Sequence, residues 1–268
     1  MRRHHRPLVL GLAVTVVVLA ATVIPSAAAP SADRTSPKPT VVLVHGAFAD
    51  ASGWSGVVSR LKKAGYPVVA PANSLRGLQS DAAYLSSLLG TIAGPKIVVG
   101  HSYGGAVITE AAASAPEVKA LVYVAAFMPD KGEVLGELAN RFPGSELDPA
   151  LEALPDGAGH HDVAIKPDKF HDVFAADLPR STTSVLAVSQ RPVSVGAFES
   201  TAQAAAWRSI PSWFLVATQD KTISPALERF QAKRAGSHTI EVDSSHVAMM
   251  SHPDKVTALI KSAAKSTR

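Results

Sequence analysis

The sequence predicts an α/β fold: a mostly parallel central sheet with helices on both faces. Two periodicities carry that expectation. Short runs at 41–44, 68–70, 97–99, 121–124, 214–217 and 240–242 are apolar on most consecutive positions, as in strands covered on both faces. Between them apolar residues recur at helical spacing, and strands that alternate with helices pair in parallel. A third observation marks an exception. From about 128 to 208, Pro, Gly and Asp are frequent and helical patterns are short, so this interval predicts a lid inserted over a pocket.

In chain order the first element is a leader. Arg2, Arg3, His4, His5 and Arg6 form a positive head, followed by apolar sequence from Leu8 to Ile24 and by Pro25-Ser26-Ala27-Ala28-Ala29-Pro30. That order predicts a signal peptide over 1–28, cut after Ala28 because a proline directly past Ala29 hinders a cut there. The mature chain is then secreted or extracytoplasmic. A retained anchor helix is the alternative, although about 17 apolar residues are short of the usual span of about 20. Arg2-Arg3 hints at a twin-arginine route, which the following residues fit poorly. The leader holds three arginines and no acid, so removing it lowers the formal net charge from +4 by three, to +1. The basic balance is therefore no argument for nucleic acid or a membrane surface as partner. The absence of cysteine excludes a lipoprotein anchor, thiol catalysis and Cys-based metal sites. About 240 remaining residues suffice for one domain whose core needs no disulfide.

Residues 29–39 predict a solvated lead-in, and 40–265 the domain. Trp54, Val57, Val58 and Leu61 share one helical face; so do Leu85, Leu88, Leu89 and Ile92, in a helix opened by Ser80, and Val256, Leu259, Ile260 and Ala263. Ser224-Pro225 predicts an N-cap with a first-turn proline, and Gly236 the stop of that helix. Ser251-His252-Pro253-Asp254 resembles a capping box. The helix after Ser102 is apolar almost all round except Glu110, which predicts the most buried helix. Within the lid, short helices are expected at 133–141, 169–177 and 181–189.

The most informative motif is Gly100-His101-Ser102-Tyr103-Gly104, with a further Gly105, between a strand and that buried helix. This context predicts a nucleophile elbow, a strained turn that lifts the Ser102 hydroxyl above the sheet edge and aims the Tyr103 N–H at an arriving oxyanion. A serine hydroxyl needs a base, and the base needs a group to orient it. The 214–217 run ends in Thr218-Gln219-Asp220, and the 240–242 run leads through Asp243-Ser244-Ser245 to His246, so both loops open on the rim that carries the elbow. Asp220 is the expected acid, with Asp130 and Asp243 as competitors. His45-Gly46-Ala47-Phe48 follows the first strand as an oxyanion loop should. The Ala47 N–H is the expected second donor and the Phe48 N–H the alternative, while His45 organises the loop. His160-His161 predict a solvated turn rather than a metal site, His101 packs behind the elbow, and His171, His238 and His252 are peripheral. There is no Walker loop, dinucleotide fingerprint, zinc spacing or DNA-binding signature.

Through these residues, the chain over 40–265 resembles the α/β-hydrolase superfamily, within it the small esterases that include plant methylesterases, hydroxynitrile lyases and bacterial relatives. Val42-Leu43-Val44-His45-Gly46-Ala47, Trp54, the Gly100 to Gly105 elbow and the His246 to Pro253 segment carry the likeness. It implies Ser102, Asp220 and His246 as a triad, with no cofactor. Hydroxynitrile lyases of this group have a lysine after the catalytic histidine; here Val247 stands there, followed by Met249-Met250 as in ester-cleaving members. The loop 48–53 is longer than in the plant enzymes. The expectation is a serine hydrolase that cleaves small, largely apolar carboxylic esters, with Phe48, Tyr103, Phe127, Met128 and Met249 lining the pocket. The partner is then a small-molecule ester, and oligomeric state is left open. The alternatives are other chemistry on this fold (lyase, perhydrolase or cofactor-free oxygenase) and a slow-turnover ligand-binding protein.

Overall fold

The computed structural model describes residues 37–157, 159 and 161–266, together with Met1 and Gly11. The chain divides into two units, Met1–Ser36 and Pro37–Arg268, and every element below belongs to the second. Apart from Met1 and Gly11, the expected leader at 1–28 lies outside the described residues, as do residues 29–36 of the expected lead-in and His160.

The elements in order are β1 (Thr40–Val44), α1 (Ser55–Lys63), β2 (Val68–Val69), α2 (Leu78–Thr91), β3 (Lys96–Ser102), α3 (Tyr103–Ala111) and β4 (Val118–Ala126). The insertion then holds α4 (Leu135–Ala139), α5 (Leu147–Ala150), β5 (Leu151–Pro155), β6 (His161–Ile165), α6 (Pro167–Phe174), α7 (Arg180–Ser189), β7 (Val193–Ser194) and α8 (Gly196–Glu199). The chain returns to the core with β8 (Ser212–Ala217), α9 (Pro225–Ala235), β9 (His238–Val242), α10 (Ala248–Ser251) and α11 (Pro253–Ser266).

Six strands pair in parallel in the order β2-β1-β3-β4-β8-β9. All of β3 and β8 is buried, and so is β4 from Ala120 onward, which is why these runs are apolar on consecutive positions. Edge strand β9 keeps only Val242 fully buried. The chain goes outward from β1 to β2 and then back across to β3. The carboxyl ends of β1 and β3 therefore flank the point where strand order reverses, the place where such sheets leave a crevice. His45 follows the first of these ends and Ser102 closes the second. Helices α1 and α11 pack on each other, with α11 along β3, β4 and β8, while α2 and α3 form another packed pair. Every α3 residue except Glu110 is buried.

The helix ends follow local chemistry, with two corrections. Gly236 ends α9 at φ 63°, and the N–H of Ser237 reaches back to the Ala232 carbonyl at 3.0 Å. Ser80 does not open α2. The helix starts at Leu78 after Gly77, and the Ser80 hydroxyl lies in the first turn, donating to the Gly77 carbonyl at 2.9 Å. Ser224 precedes α9 as expected, but its hydroxyl donates to the Pro143 carbonyl at 2.7 Å instead of capping its own helix. The three expected insertion helices are present in shorter or shifted form. The antiparallel sheet β5-β6-β7 was not expected; it pairs Leu151 with Ile165 and Pro155 with His161. His161 thus opens a strand, exposed, where a turn was expected. Its short segments alternate too briefly to stand out from the surrounding Pro and Gly.

Nothing lies within 4 Å of where a Cβ on Gly236 would sit, so Gly236→Ala adds backbone strain without a clash. The variant should lose about 1 kcal/mol and melt about 2–4 °C lower by circular dichroism.

Candidate active site

Ser102 adopts φ 53° and ψ −127°, a conformation that costs a non-glycine residue about 1–3 kcal/mol and persists only when its surroundings impose it. They do so through a register shift between His101 and Ser102 against β4 and through the Phe127 N–H, which donates to the Ser102 carbonyl at 3.1 Å. The turn closes so tightly that a Cβ on Gly100 would stand 2.6 Å from the Gly104 carbonyl oxygen, and one on Gly104 2.6 Å from that of Val44. A Cβ on Gly46 would meet Ser102 Cβ at 2.6 Å and Oγ at 3.2 Å, so the hydroxyl faces the loop after β1.

Two other loops arrive at this turn already joined. After β8 and β9 the chain stays zipped, with Thr218 N–H on the Val242 carbonyl at 2.9 Å and Gln219 N–H on that of Ser244 at 3.1 Å. Asp220 and His246 are carried on these loops, and Asp220 Oδ2 meets His246 Nδ1 at 2.5 Å with both side chains fully buried. Asp220 Oδ1 accepts the N–H groups of Thr222 at 2.6 Å and Ile223 at 2.9 Å, which fixes the carboxylate plane. The His246 loop is pinned from the insertion by Asp177, which accepts the Ser245 N–H at 3.1 Å and the Ser245 hydroxyl. His101 Nε2 donates to the His246 carbonyl at 3.0 Å, so the residue beside Ser102 holds the histidine's backbone. His246 Nε2 is buried without a hydrogen-bond partner, and the contact between hydroxyl and imidazole is not made in this structure.

The competing acids are elsewhere. Asp130 forms a paired contact with Arg208, Nε at 2.8 Å, and Asp243 accepts from the Thr218 hydroxyl at 3.3 Å.

The loop after β1 is braced by His45. Its Nε2 accepts the Asn73 N–H at 2.9 Å, which leaves Nδ1 to donate to the Gly46 carbonyl at 2.9 Å. The Asn73 side chain returns a bond to the His45 carbonyl at 3.1 Å. Burial lowers the pKa of His45 and, more strongly, that of His101, keeping both rings neutral. The Phe48 N–H is engaged by the Arg191 carbonyl at 3.2 Å, whereas no acceptor is present among the described residues for the N–H of Ala47 or Tyr103. The Tyr103 hydroxyl donates to buried Asp81 at 2.8 Å and points away from the crevice into the α2–α3 contact.

The insertion roofs the site with Phe174, whose ring lies 5.0 Å from that of His246 and 6.2 Å from that of Phe48. Two cavities border the insertion, neither lined by Ser102 or His246. One of about 40 Å³ is lined by Phe48, Phe170, Phe174, Val247 and Met249. The other, of about 200 Å³, is lined by Phe127, Leu147, Leu151, Val163 and Phe198. Met128, expected in the pocket, lines neither; it is fully buried, its N–H bound to Gln231 Oε1 at 2.6 Å, because the chain turns inward past Phe127. Sequence reasoning also missed Phe174, Asn73 and Asp177. None lies in a motif, and each acts through a contact between segments far apart in the chain.

A parallel sheet with a strained strand–turn–helix serine and a histidine–carboxylate pair on the same rim defines the class. Residues 41–259 match the alpha/beta hydrolase family, and the chain belongs to it. It is 26% identical over 253 residues to an alpha/beta hydrolase of Aspergillus novofumigatus, covering 85% of this chain and 97% of that one. Over 107 residues it is 36% identical to a carbendazim hydrolyzing esterase of Nocardioides sp. (strain SG-4G); that match spans 35% of this chain and 44% of the relative. The crystal structure of polyneuridine aldehyde esterase superimposes with a TM-score of 0.72 at 18% identity, over 84% of this chain and 98% of that chain.

His45 and His101 set a pH dependence of stability. Their folded pKa values lie below the unfolded value of 6.5, so the unfolded chain binds protons that the folded chain refuses. Their contribution is intact above about pH 6.5 and is lost as pH falls below it. Urea midpoints should therefore drop between pH 7.5 and 5.5, and His101→Gln, which keeps a donor for the His246 carbonyl, should shrink that drop.

Proposed function

We propose that this chain is a serine hydrolase that cleaves small, largely apolar carboxylic esters through an acyl-enzyme. The observation that carries the reading is the buried bond between Asp220 and His246, which occupies Nδ1 and leaves Nε2 as the free ring nitrogen beside the elbow. Ser102 Oγ attacks the ester carbonyl carbon while Nε2 takes its proton. The tetrahedral oxyanion is received by the N–H groups of Ala47 and Tyr103, each such donor typically worth about 3 kcal/mol in the transition state. Collapse expels the alcohol, which leaves with the proton from Nε2. Water then attacks the acyl carbon with His246 again as base, releasing the acid and restoring Ser102. Asp220 fixes the tautomer throughout. The contact from Ser102 Oγ to Nε2 forms around bound substrate in this mechanism, as such bonds tighten there.

The apolar side chains gathered near the His246 loop, Phe48, Phe174, Val247 and Met249, support a substrate with small, hydrocarbon-rich groups. The relatives named as esterases support ester cleavage, and Val247 in place of a lysine disfavours cyanohydrin cleavage. The leader at 1–28 is proposed to direct export.

With p-nitrophenyl butyrate, Ser102→Ala should lower kcat/KM by at least about 10³-fold with an unchanged circular dichroism spectrum. Undiminished turnover would reject the mechanism. Asp220→Asn should lower kcat by about 10⁴-fold, because an amide favours the wrong imidazole tautomer. In the wild type, acid and alcohol should appear in equal amounts.

A further inference from the structure

Helix α9 turns two polar side chains into the interior, Glu228 and Gln231, both fully buried. Gln231 uses both ends of its amide, accepting the Met128 N–H at 2.6 Å and donating to the Ala126 carbonyl at 3.1 Å. Glu228 does not. Its Oε2 accepts the N–H of Ala217, the last residue of β8, at 3.0 Å, while Oε1 is buried with no hydrogen-bond partner. The group beside it is the Asp220 carboxylate. Asp220 already accepts two backbone N–H groups and meets the His246 ring, so both of its oxygens are engaged.

Two carboxylates side by side in the interior cannot both be charged without a cation between them. The neighbouring cations do not serve. Arg229, next on α9, is half-exposed and held by Glu241 of β9 at 2.7 Å; Lys221, next to Asp220, is half-exposed and held by Glu146 at 3.0 Å. The remaining titratable group facing the pair is His246, on the far side of Asp220. An ionised Glu228 would leave Oε1 bare next to a second anion. A protonated one becomes a donor to the Asp220 carboxylate beside it.

We propose that Glu228 is a positioning residue that stays protonated at neutral pH and gives Asp220 a hydrogen bond from behind, so that one negative charge faces His246. Burial first, then the charge of Asp220, push its carboxyl well above the usual carboxylate range, in keeping with this role. The assignment rests on the proposed triad for its consequence in catalysis, not for the protonation itself.

Infrared spectroscopy on the folded protein tests the protonation directly. At pH 7 the wild type should show the C=O band of a buried carboxylic acid, and the Glu228→Gln minus wild-type difference spectrum should show its loss. Kinetics test the role. Glu228→Leu should lower kcat about tenfold with KM little changed, and Glu228→Gln, whose amide can both accept from Ala217 and donate to Asp220, should recover most of that loss. The acid-side midpoint of kcat/KM in Glu228→Gln should match the wild type, because no charge has been removed. A missing acid band, a midpoint lowered by about one pH unit in Glu228→Gln, or Gln and Leu variants of equal activity would each overturn the proposal. If Glu228→Leu fails to fold, the band and the Gln midpoint decide. Turnover surviving in Ser102→Ala would sink the triad instead, and the band would remain.

Discussion

The site depends on one backbone constraint, the turn that holds Ser102 at φ 53° between β3 and α3. An L-residue enters that region only under compulsion. Here the compulsion is steric: glycines before and after the serine let α3 fold back until backbone touches backbone. The same closeness places the start of α3 beside the loop that follows β1. Loosening the turn would move the serine, the N–H of Tyr103 and the approach of Gly46 together, since all three are set by one packing contact.

Around this turn the structure buries polar groups and keeps them neutral or paired. His45 and His101 are used as fixed donors and acceptors, one bracing the loop after β1, the other holding the backbone of His246. Each is satisfied on one or both nitrogens and stays uncharged because the interior disfavours the charged ring. Asp220 is the exception, a buried carboxylate stabilised by two backbone N–H groups and a histidine. The insertion completes the enclosure through Phe174, Asp177 and the Arg191 carbonyl. The roof over the crevice and the anchors of its loops thus come from one segment.

What was legible in the sequence was what local chemistry decides. The buried strands are apolar on successive positions, Gly236 stops α9, and Gly100 to Gly105 announce the turn. Topology sets Asp220 apart from Asp130 and Asp243 in the sequence, and the three differ in their contacts. Asp130 is taken by Arg208 and Asp243 by Thr218, while Asp220 alone of the three meets His246. Met128 was misplaced because its position beyond β4 does not reveal which way the chain turns. The β5-β6-β7 sheet was missed because its strands are brief and pair across loops rich in Pro and Gly. A start at Ser80 falls about a turn too late, because Gly77, not a side-chain cap, precedes α2.

The sequence by itself determined the layers of this protein and where its strand ends carry a serine, a histidine and carboxylates. Periodicity reports which faces avoid water, and glycine reports where the backbone must bend. The tertiary structure alone decided the company those groups keep: which carboxylate meets the imidazole, which N–H groups stay unengaged, which ring covers the crevice, and that a second acid lies behind the first. Those outcomes depend on contacts between segments as much as 145 residues apart. No residue's own chemistry encodes such distances; they follow only once the sheet is assembled and the core has closed.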